Sequence, residues 1–345
     1  MIPIQNIYYM LSYAFQVLNE QGYKNIATEQ FHNTAELMAA ILEKGIAIQI
    51  KRGLGKEYIP QTEALSSLRG KIDIAESIKT QSMLRKQLIC TYDEFSVNSI
   101  MNRIIKSTVE LLLRSNISKQ RKKNLRKLMV YFSEVDFIDL YTVNWNVQYN
   151  RNNQTYRMLI SICYLVVKGL LQTQSNGHTK LMDFLDEQRM CRLYEKFILE
   201  YYRREFKNQI TANTSQIPWQ LDNEENSLLP VMQSDIMLQS GEKVLIIDAK
   251  YYEHSTQVQF DKHTLHSGNL YQIFTYVKNK EYELREKDHT VSGMLLYAKT
   301  DEAIYPNNVY QMSGNQITVR TLDLNLSFDE IAGQLNTIAK THFDL

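Results

Sequence analysis

The sequence predicts an α/β protein, with a mixed sheet flanked by helices in its C-terminal half and an α+β domain before it. Two apolar runs, residues 244–247 and 291–298, are typical of strands that are covered on both faces. Residues 190–206 and 269–280 instead carry apolar side chains at helical spacing. Because strands that alternate with helices form a sheet with helices packed on it, these segments predict the C-terminal architecture.

Length and charge restrict the functional classes. A chain of 345 residues is long enough for two domains, and its 44% apolar and 22% charged residues are typical of a globular protein. The net charge is only +1, which argues against a free-standing, high-affinity nucleic-acid binder, because phosphate contacts need clustered Lys and Arg. Any DNA binding is expected to come from local patches, from a metal or from a partner.

The cysteines and the apolar segments indicate a cytoplasmic protein without a membrane partner. Cys90, Cys163 and Cys191 are an odd number without close spacing, which predicts neither a disulfide framework nor a zinc cluster. The N-terminus lacks the pattern of a signal peptide. The longest apolar segment, residues 158–171, is too short to span a bilayer.

The first elements are predicted as two helices and a hairpin. The helices run from Ile4 to about Leu18 and from Thr34 to near Gly45. A β-like run then leads through the basic, glycine-containing residues 51–56, which we place at the tip of a hairpin. A solvated turn and a contact with a partner both explain this basic loop.

A strand at residues 88–92 and a helix from about Ser99 are predicted next, and the most basic stretch of the chain follows at residues 119–127. Its apolar residues recur at helical spacing, so it is an amphipathic helix with a cationic face. A solvated face is the commoner explanation, and a surface for phosphates or a partner is the alternative. The polar interval 148–154 predicts a division into domains at residues 1–160 and 161–345.

The most specific feature is an acidic hairpin. The turn signal Ser240-Gly241 joins two strands, and Asp248 and Lys250 project from one face of the second strand because they are two residues apart. If those two turn residues form the loop, Leu238 pairs with Lys243, and Asp235 shares the face of Asp248. A loop longer by one residue would turn Asp235 to the opposite face.

Two convergent carboxylates with an ammonium beside them suit Mg²⁺, which prefers oxygen ligands and keeps several waters. Such an ion polarises a phosphoryl oxygen and lowers the pKa of a bound water, so the pattern predicts phosphodiester hydrolysis. The alternative is a surface hairpin with ordinary charges. The apolar strand that leads into Asp248 argues against that alternative.

At these residues the chain resembles the PD-(D/E)XK nuclease superfamily and, more narrowly, the McrC proteins, the nuclease subunits of McrBC modification-dependent restriction systems. Ser234 stands where the superfamily's name has proline. The narrower resemblance depends on four stretches in order, Ile2-Pro3-Ile4-Gln5-Asn6-Ile7-Tyr8-Tyr9-Met10-Leu11, Leu68-Arg69-Gly70-Lys71-Ile72, Asn102-Arg103-Ile104-Ile105-Lys106 and Leu228-Leu229-Pro230.

The resemblance implies a PD-(D/E)XK-type sheet, with Asp235 and Asp248 as ligands of Mg²⁺ and Lys250 as the catalytic lysine. It also makes Glu195, on the preceding helix, a candidate metal ligand, although an exposed glutamate is the commoner explanation. Gln272 resembles the first residue of a Q-x-x-x-Y element that orients the metal-bound water or contacts DNA, with Tyr276 as the tyrosine.

For the whole protein, the resemblance implies a DNA endonuclease that acts on methylated double-stranded DNA. The N-terminal domain would dock on a ring-shaped, McrB-like AAA+ GTPase and stimulate it. This chain has no G-x-x-x-x-G-K-[ST] motif, so it is not itself the NTPase. Two alternatives are a non-cleaving activator of the NTPase partner and a standalone, structure-specific nuclease.

Overall fold

The computed structural model describes residues 2–15, 18, 23, 26, 29, 31–150, 153, 155–175, 187–223, 228–252, 257–259, 262–299 and 305–345. Within these ranges, no helix combines the length and the apolar character that a membrane crossing requires. The predicted boundary interval 148–154 lies partly outside the described residues.

The described residues form helices and strands in the following order along the chain. The helices are α1 Ile4–Ala14, α2 Thr34–Arg52, α3 Ile74–Lys79, α4 Ile100–Arg114, α5 Lys119–Met129, α6 Tyr156–Ser175, α7 Glu187–Glu205, α8 Ser267–Glu283 and α9 Phe328–Phe343. The strands are β1 Glu57–Leu65, β2 Lys71–Asp73, β3 Leu88–Ser96, β4 Thr211–Asn213, β5 Gln216–Ile217, β6 Met232–Gln233, β7 Ile236–Ser240, β8 Lys243–Lys250, β9 Gln257–Gln259, β10 Lys262–Thr264, β11 Thr290–Ala298, β12 Asn308–Met312 and β13 Asn315–Leu322.

The chain divides into two compact units, Met1–Ala27 together with Leu185–Leu345, and Thr28–Phe184. This division differs from the predicted one, because α1 belongs to the C-terminal unit and residue 160 falls inside α6. Asn6 donates hydrogen bonds of 2.8 Å to the carbonyls of Leu324 and Leu326, and Tyr9 stacks on Phe328 with ring centroids 4.5 Å apart. These partners of Asn6 and Tyr9 lie more than 300 positions away in the sequence. The spacing of apolar residues within α1 therefore could not predict which part of the chain it packs against.

The C-terminal unit contains the predicted mixed sheet. Its six strands have the order β12-β13-β11-β8-β7-β4, and β11 runs parallel to both β8 and β13 while the other neighbours are antiparallel. α7 packs against β4, β7 and β8, and α8 packs against β8, β11 and β13. The expectation of a mixed sheet flanked by helices is therefore confirmed.

The core on the α8 side of this sheet is apolar and tightly packed. Ile246, Leu295 and Ile273 are fully buried within one cluster. A Cβ at Gly293 would lie 2.8 Å from the Ile273 side chain and 2.9 Å from that of Val277. The absence of a side chain at Gly293 thus lets α8 approach the sheet, which places the first turns of α8 beside the end of β8.

The N-terminal unit combines the helices α2, α4, α5 and α6 with a three-stranded antiparallel sheet of order β1-β3-β2. The predicted strand before residue 51 is wrong, because α2 continues to Arg52 and β1 pairs with β3. Residues 37–42 and Ile46 of α2 are all buried. A helix that is apolar on nearly all sides loses its periodic signal, and its run of isoleucines then imitates a strand.

The basic helix α5 is only partly a solvated face. Arg121 turns inward, where its guanidinium lies 2.6 Å from Glu29, 2.9 Å from Glu43 and 3.5 Å from Glu36. These ion pairs are partly buried and link α5 to α2 and to Glu29, which precedes α2. The neighbouring Lys123 is exposed, as the prediction of an outer cationic face requires.

Candidate active site

The β7–β8 hairpin places the acidic residues. Its last pair is Ser240 with Lys243, so the loop consists of Gly241 and Glu242, and Gly241 has a φ of +57°. The predicted pairing of Leu238 with Lys243 is wrong, since Leu238 pairs with Leu245. The turn lies one residue further along than predicted because the glycine occupies its first position. A turn displaced by one residue moves the pairing by two, which leaves every side chain on the expected face.

Asp235 lies immediately before β7, and its carboxylate reaches the end of β8. The Oδ2 atom accepts a hydrogen bond of 3.0 Å from the backbone N–H of Ala249. Its negative charge is close enough to Asp248 to raise the pKa of the Asp248 carboxyl. The structure therefore brings together the two acids that the hairpin pattern singled out.

Asp248 is a buried carboxylate that is paired with an ammonium. Its side chain is only 1% exposed, and the Lys250 ammonium lies 2.9 Å from both of its oxygens. Lys250 donates a hydrogen bond to Oδ1 and forms an ion pair with Oδ2. Burial, and then repulsion by Asp235, raise the pKa of Asp248 to about 7 although Lys250 opposes the shift.

Lys250 connects the acids to α8. Burial by itself lowers the pKa of Lys250, but the ion pair with Asp248 outweighs it and raises the pKa above its ordinary value. The ammonium also lies 3.4 Å from Gln272 Oε1, and Gln272 Nε2 donates a hydrogen bond of 2.9 Å to the hydroxyl of Tyr276. The structure therefore connects Gln272 to the Lys250 ammonium and Tyr276 to Gln272, and their roles stay predictions.

Glu195 approaches the same place from α7. It is partly buried and accepts a hydrogen bond of 3.0 Å from the Cys191 thiol. Burial, and then the negative charge of Asp235, raise the pKa of Glu195. The expectation of an exposed glutamate is therefore wrong, and a role for Glu195 in metal binding stays a prediction.

Sequence reasoning did not assign a role to several residues that complete the surroundings. Cys191 lies 3.8 Å from the carbonyl oxygen of Ala249. Asn269 donates a hydrogen bond of 2.9 Å to the hydroxyl of Tyr297 and accepts one of 3.3 Å from Tyr252. The available signal was spacing, because Cys191 precedes Glu195 by four residues and Asn269 precedes Gln272 by three, so each pair shares a helix face.

The donor atoms at this site fit a hard cation. Among the described residues, no three His, Cys, Asp or Glu side chains converge as a complete metal site, which disfavours a closed, structural zinc centre. Magnesium differs, because proteins usually bind it through one or two carboxylates while it keeps several waters. The neighbouring carboxylates of Asp235 and Asp248 provide two oxygen ligands of the kind that such a cation prefers.

Comparison with known proteins finds that this chain is similar to restriction proteins. A family model described as McrBC 5-methylcytosine restriction system component matches residues 5–298. The type IV methyl-directed restriction enzyme EcoKMcrBC of Escherichia coli strain K12 is 30% identical over 329 residues, which cover 94% of this chain and 93% of that protein.

A solved structure shows a similar fold, and a second one matches part of the chain. A refined half-complex from a tetradecameric assembly of Thermococcus gammatolerans McrB AAA+ hexamers with bound McrC has a TM-score of 0.50 at 18% identity, over 97% of this chain and 76% of that chain. A cryo-EM structure of the Thermococcus gammatolerans McrBC complex has a TM-score of 0.42 at 21% identity, over 59% of each chain.

Proposed function

The chain belongs to the family of McrBC 5-methylcytosine restriction system components, and from this premise we propose that it is the DNA-cleaving subunit of a GTP-driven restriction complex. The resemblance to McrC proteins, first drawn from four short motifs, is confirmed by the family match and by the relative from Escherichia coli. The proposed reaction is hydrolysis of DNA phosphodiesters by a PD-(D/E)XK-type centre.

The environment of Asp248 is the main support for this proposal. The Asp248 carboxylate is 1% exposed and lies beside the Asp235 carboxylate, and the Lys250 ammonium sets one positive charge against these two acids. Folding alone disfavours such a group, because a buried charge needs full compensation. A bound divalent cation would supply further positive charge, and this makes catalysis a better explanation than packing.

Asp235 and Asp248 would hold Mg²⁺, with Glu195 at the edge of the same site. The ion would polarise the scissile phosphate and lower the pKa of a water that it binds. The Asp235 carboxylate is held in place by the Ala249 N–H. The apolar strand β8 keeps water away from Asp248, and this strengthens each electrostatic interaction at the site.

Lys250 and Gln272 would act on the reacting groups. The Lys250 ammonium, already held by Asp248, would stabilise negative charge that develops on the phosphate oxygens. Gln272 is fixed between Lys250 and Tyr276, so its amide would orient an attacking water or a strand of DNA. Both roles require the side chains to keep their present hydrogen bonds.

The partners are proposed from the relatives. One relative is described as a methyl-directed restriction enzyme, and a structure of similar fold contains McrC bound to McrB AAA+ hexamers. We infer that this chain acts on methylated double-stranded DNA together with an McrB-like GTPase ring, and that residues 28–184 provide the docking unit. The net charge of +1 supports dependence on a partner for DNA binding.

Lys250→Ala tests this assignment. Without the ammonium, cleavage of methylated DNA in the presence of the McrB-like partner, GTP and Mg²⁺ should fall about 100-fold or more. Stimulation of the partner's GTP hydrolysis should stay close to the wild-type value, because Lys250 lies in the C-terminal unit. The control is Lys207→Ala, an exposed lysine of the same unit that should cleave normally.

The outcomes separate the competing functions. If Lys250→Ala cleaves like the wild type, the catalytic assignment is wrong. If the wild type stimulates GTP hydrolysis but never cleaves, the chain is an activator only. Vigorous Mg²⁺-dependent cleavage without the partner would instead identify a standalone nuclease, and an unchanged elution volume after mixing with the partner and GTP would contradict docking.

A further inference from the structure

The Cys191 side chain lies between the side chain of Glu195 and the backbone of Ala249. It lies one helical turn before Glu195, so both side chains leave α7 in the same direction. Its Sγ atom is 3.0 Å from Glu195 Oε1 and 3.8 Å from the carbonyl oxygen of Ala249.

The peptide of Ala249 links this thiol to the first acid of the site. The Ala249 N–H donates to Asp235, while its carbonyl lies against Cys191. Ala249 also separates Asp248 from Lys250 in β8, so a rotation of its backbone would displace both side chains. The contacts of Cys191 thus reach the residues that determine the geometry of the site.

A separate feature indicates that this region binds a ligand. The Asp248 carboxylate is buried and lies beside the Asp235 carboxylate, and the Lys250 ammonium sets one positive charge against these two acids. This grouping of acids does not depend on Cys191 or on any contact of the thiol. The contacts around these acids therefore serve to hold them for a bound cation, and not for packing alone.

We propose that Cys191 is a positioning residue of the active site, whose S–H donates to the Glu195 carboxylate and holds it toward Asp235, while its sulfur packs against the Ala249 peptide. This inference rests on the proposed function. The thiol itself neither touches DNA nor binds the metal. Its role corresponds to that of groups around metal ligands in other proteins, which orient the ligands through hydrogen bonds.

Magnesium binding by the full-length protein tests the proposal, measured by isothermal titration calorimetry. Cys191→Val removes the donor while keeping an apolar side chain of similar size, and the dissociation constant for Mg²⁺ should rise about tenfold. Cys191→Ser restores an O–H donor, so most of the affinity should return. Cys163→Ala is the matched control, because Cys163 is a buried cysteine of the other unit and should leave Mg²⁺ affinity unchanged.

Cleavage with the GTPase partner gives a second measurement. For Cys191→Val, the Mg²⁺ concentration for half-maximal cleavage should rise by the same factor, and saturating Mg²⁺ should restore most of the rate. If this variant does not fold, as judged by thermal unfolding without metal, Cys191→Ala takes its place. A loss that Cys191→Ser does not reverse would contradict the proposed role.

The two proposals fail in different ways. If Cys191→Val binds Mg²⁺ like a wild type that cleaves DNA, only the role of Cys191 is overturned. If the wild type does not bind Mg²⁺, or if Asp248→Asn binds it equally well, the nuclease function fails instead.

Discussion

Asp248 ends an apolar strand, is 1% exposed and lies beside Asp235. Its charge is opposed by burial and by this neighbour, and only Lys250 favours it. A residue chosen for stability at this position would be apolar, as the preceding residues of β8 are. Functional side chains often keep such unfavourable environments, because the same burial strengthens their electrostatic interactions with a bound ion.

We therefore expect Asp248→Asn to abolish Mg²⁺ binding and cleavage without lowering stability in metal-free buffer. The folded-state pKa of Asp248, about 7, lies above its ordinary value of 3.8, so the stability from its proton is present at low pH and is lost as the pH rises through 7. Asparagine does not ionise, so the variant does not lose this stability as the pH rises. Its melting temperature relative to wild type should be higher at pH 8 than at pH 5.

Asp222→Asn is the matched control for this measurement, because Asp222 is exposed in the same unit. It should show the wild-type dependence on pH. An Asp248→Asn variant that becomes less stable relative to wild type as the pH rises from 5 to 8 would show that the buried carboxylate is favoured by folding.

In the β7–β8 hairpin the predicted turn was displaced by one residue, but the predicted face of the acidic side chains was correct. Moving the loop from Ser240-Gly241 to Gly241-Glu242 changed each cross-strand partner but not the face of Asp235. The turn requires a positive φ at Gly241, which residues with a Cβ rarely adopt. This one conformational requirement determines the register that aligns both acids.

Gly241→Ala should destabilise the C-terminal unit by about 1 kcal/mol, because alanine is strained at positive φ. Steric clash is not involved, since a Cβ at Gly241 would meet no atom within 4 Å. Gly241→Asn should cost less, as asparagine tolerates this conformation. Urea unfolding measures both variants, and Gly268→Ala, at a glycine without positive φ, should cost nothing. Equal stability of all three variants would contradict this account of the turn.

In the whole molecule, the first segment of the chain packs as part of the C-terminal unit. Met1–Ala27 groups with Leu185–Leu345, and the family motif around Asn6 is explained by packing within that unit. Tyr13 adds a hydrogen bond of 2.8 Å to Glu205. The N-terminal motif therefore stabilises the proposed nuclease unit and is not part of the proposed docking unit.

Asn6→Ala should destabilise the C-terminal unit by about 2 to 3 kcal/mol, because two carbonyls lose their donor. Hydrogen exchange should quicken in α7 and α9 and stay unchanged in β1 and β3, which belong to the other unit. Asn223→Ala, at an exposed asparagine, serves as the control. Faster exchange confined to residues 28–184 would show that α1 stabilises the other unit instead.

Elements with a clear local period were predicted well. The helix expected at residues 269–280 is observed as Ser267–Glu283, and the strand expected at 291–298 as Thr290–Ala298. The end of α2 was missed because its buried surface is apolar on nearly all sides. Periodicity depends on a contrast between a buried and an exposed face, and α2 offers little contrast.

The spacing of residues along the chain was sufficient to identify the acidic hairpin, its lysine and the face that they share, because these depend on the two-residue period of a strand. Long-range packing alone decided the rest. It brought Glu195 and Cys191 from α7, and Gln272 from α8, to the end of β8, and it joined α1 to the C-terminal unit. Such contacts arise from the burial of surfaces far apart in sequence. The local spacing of apolar residues does not indicate which surfaces will come into contact.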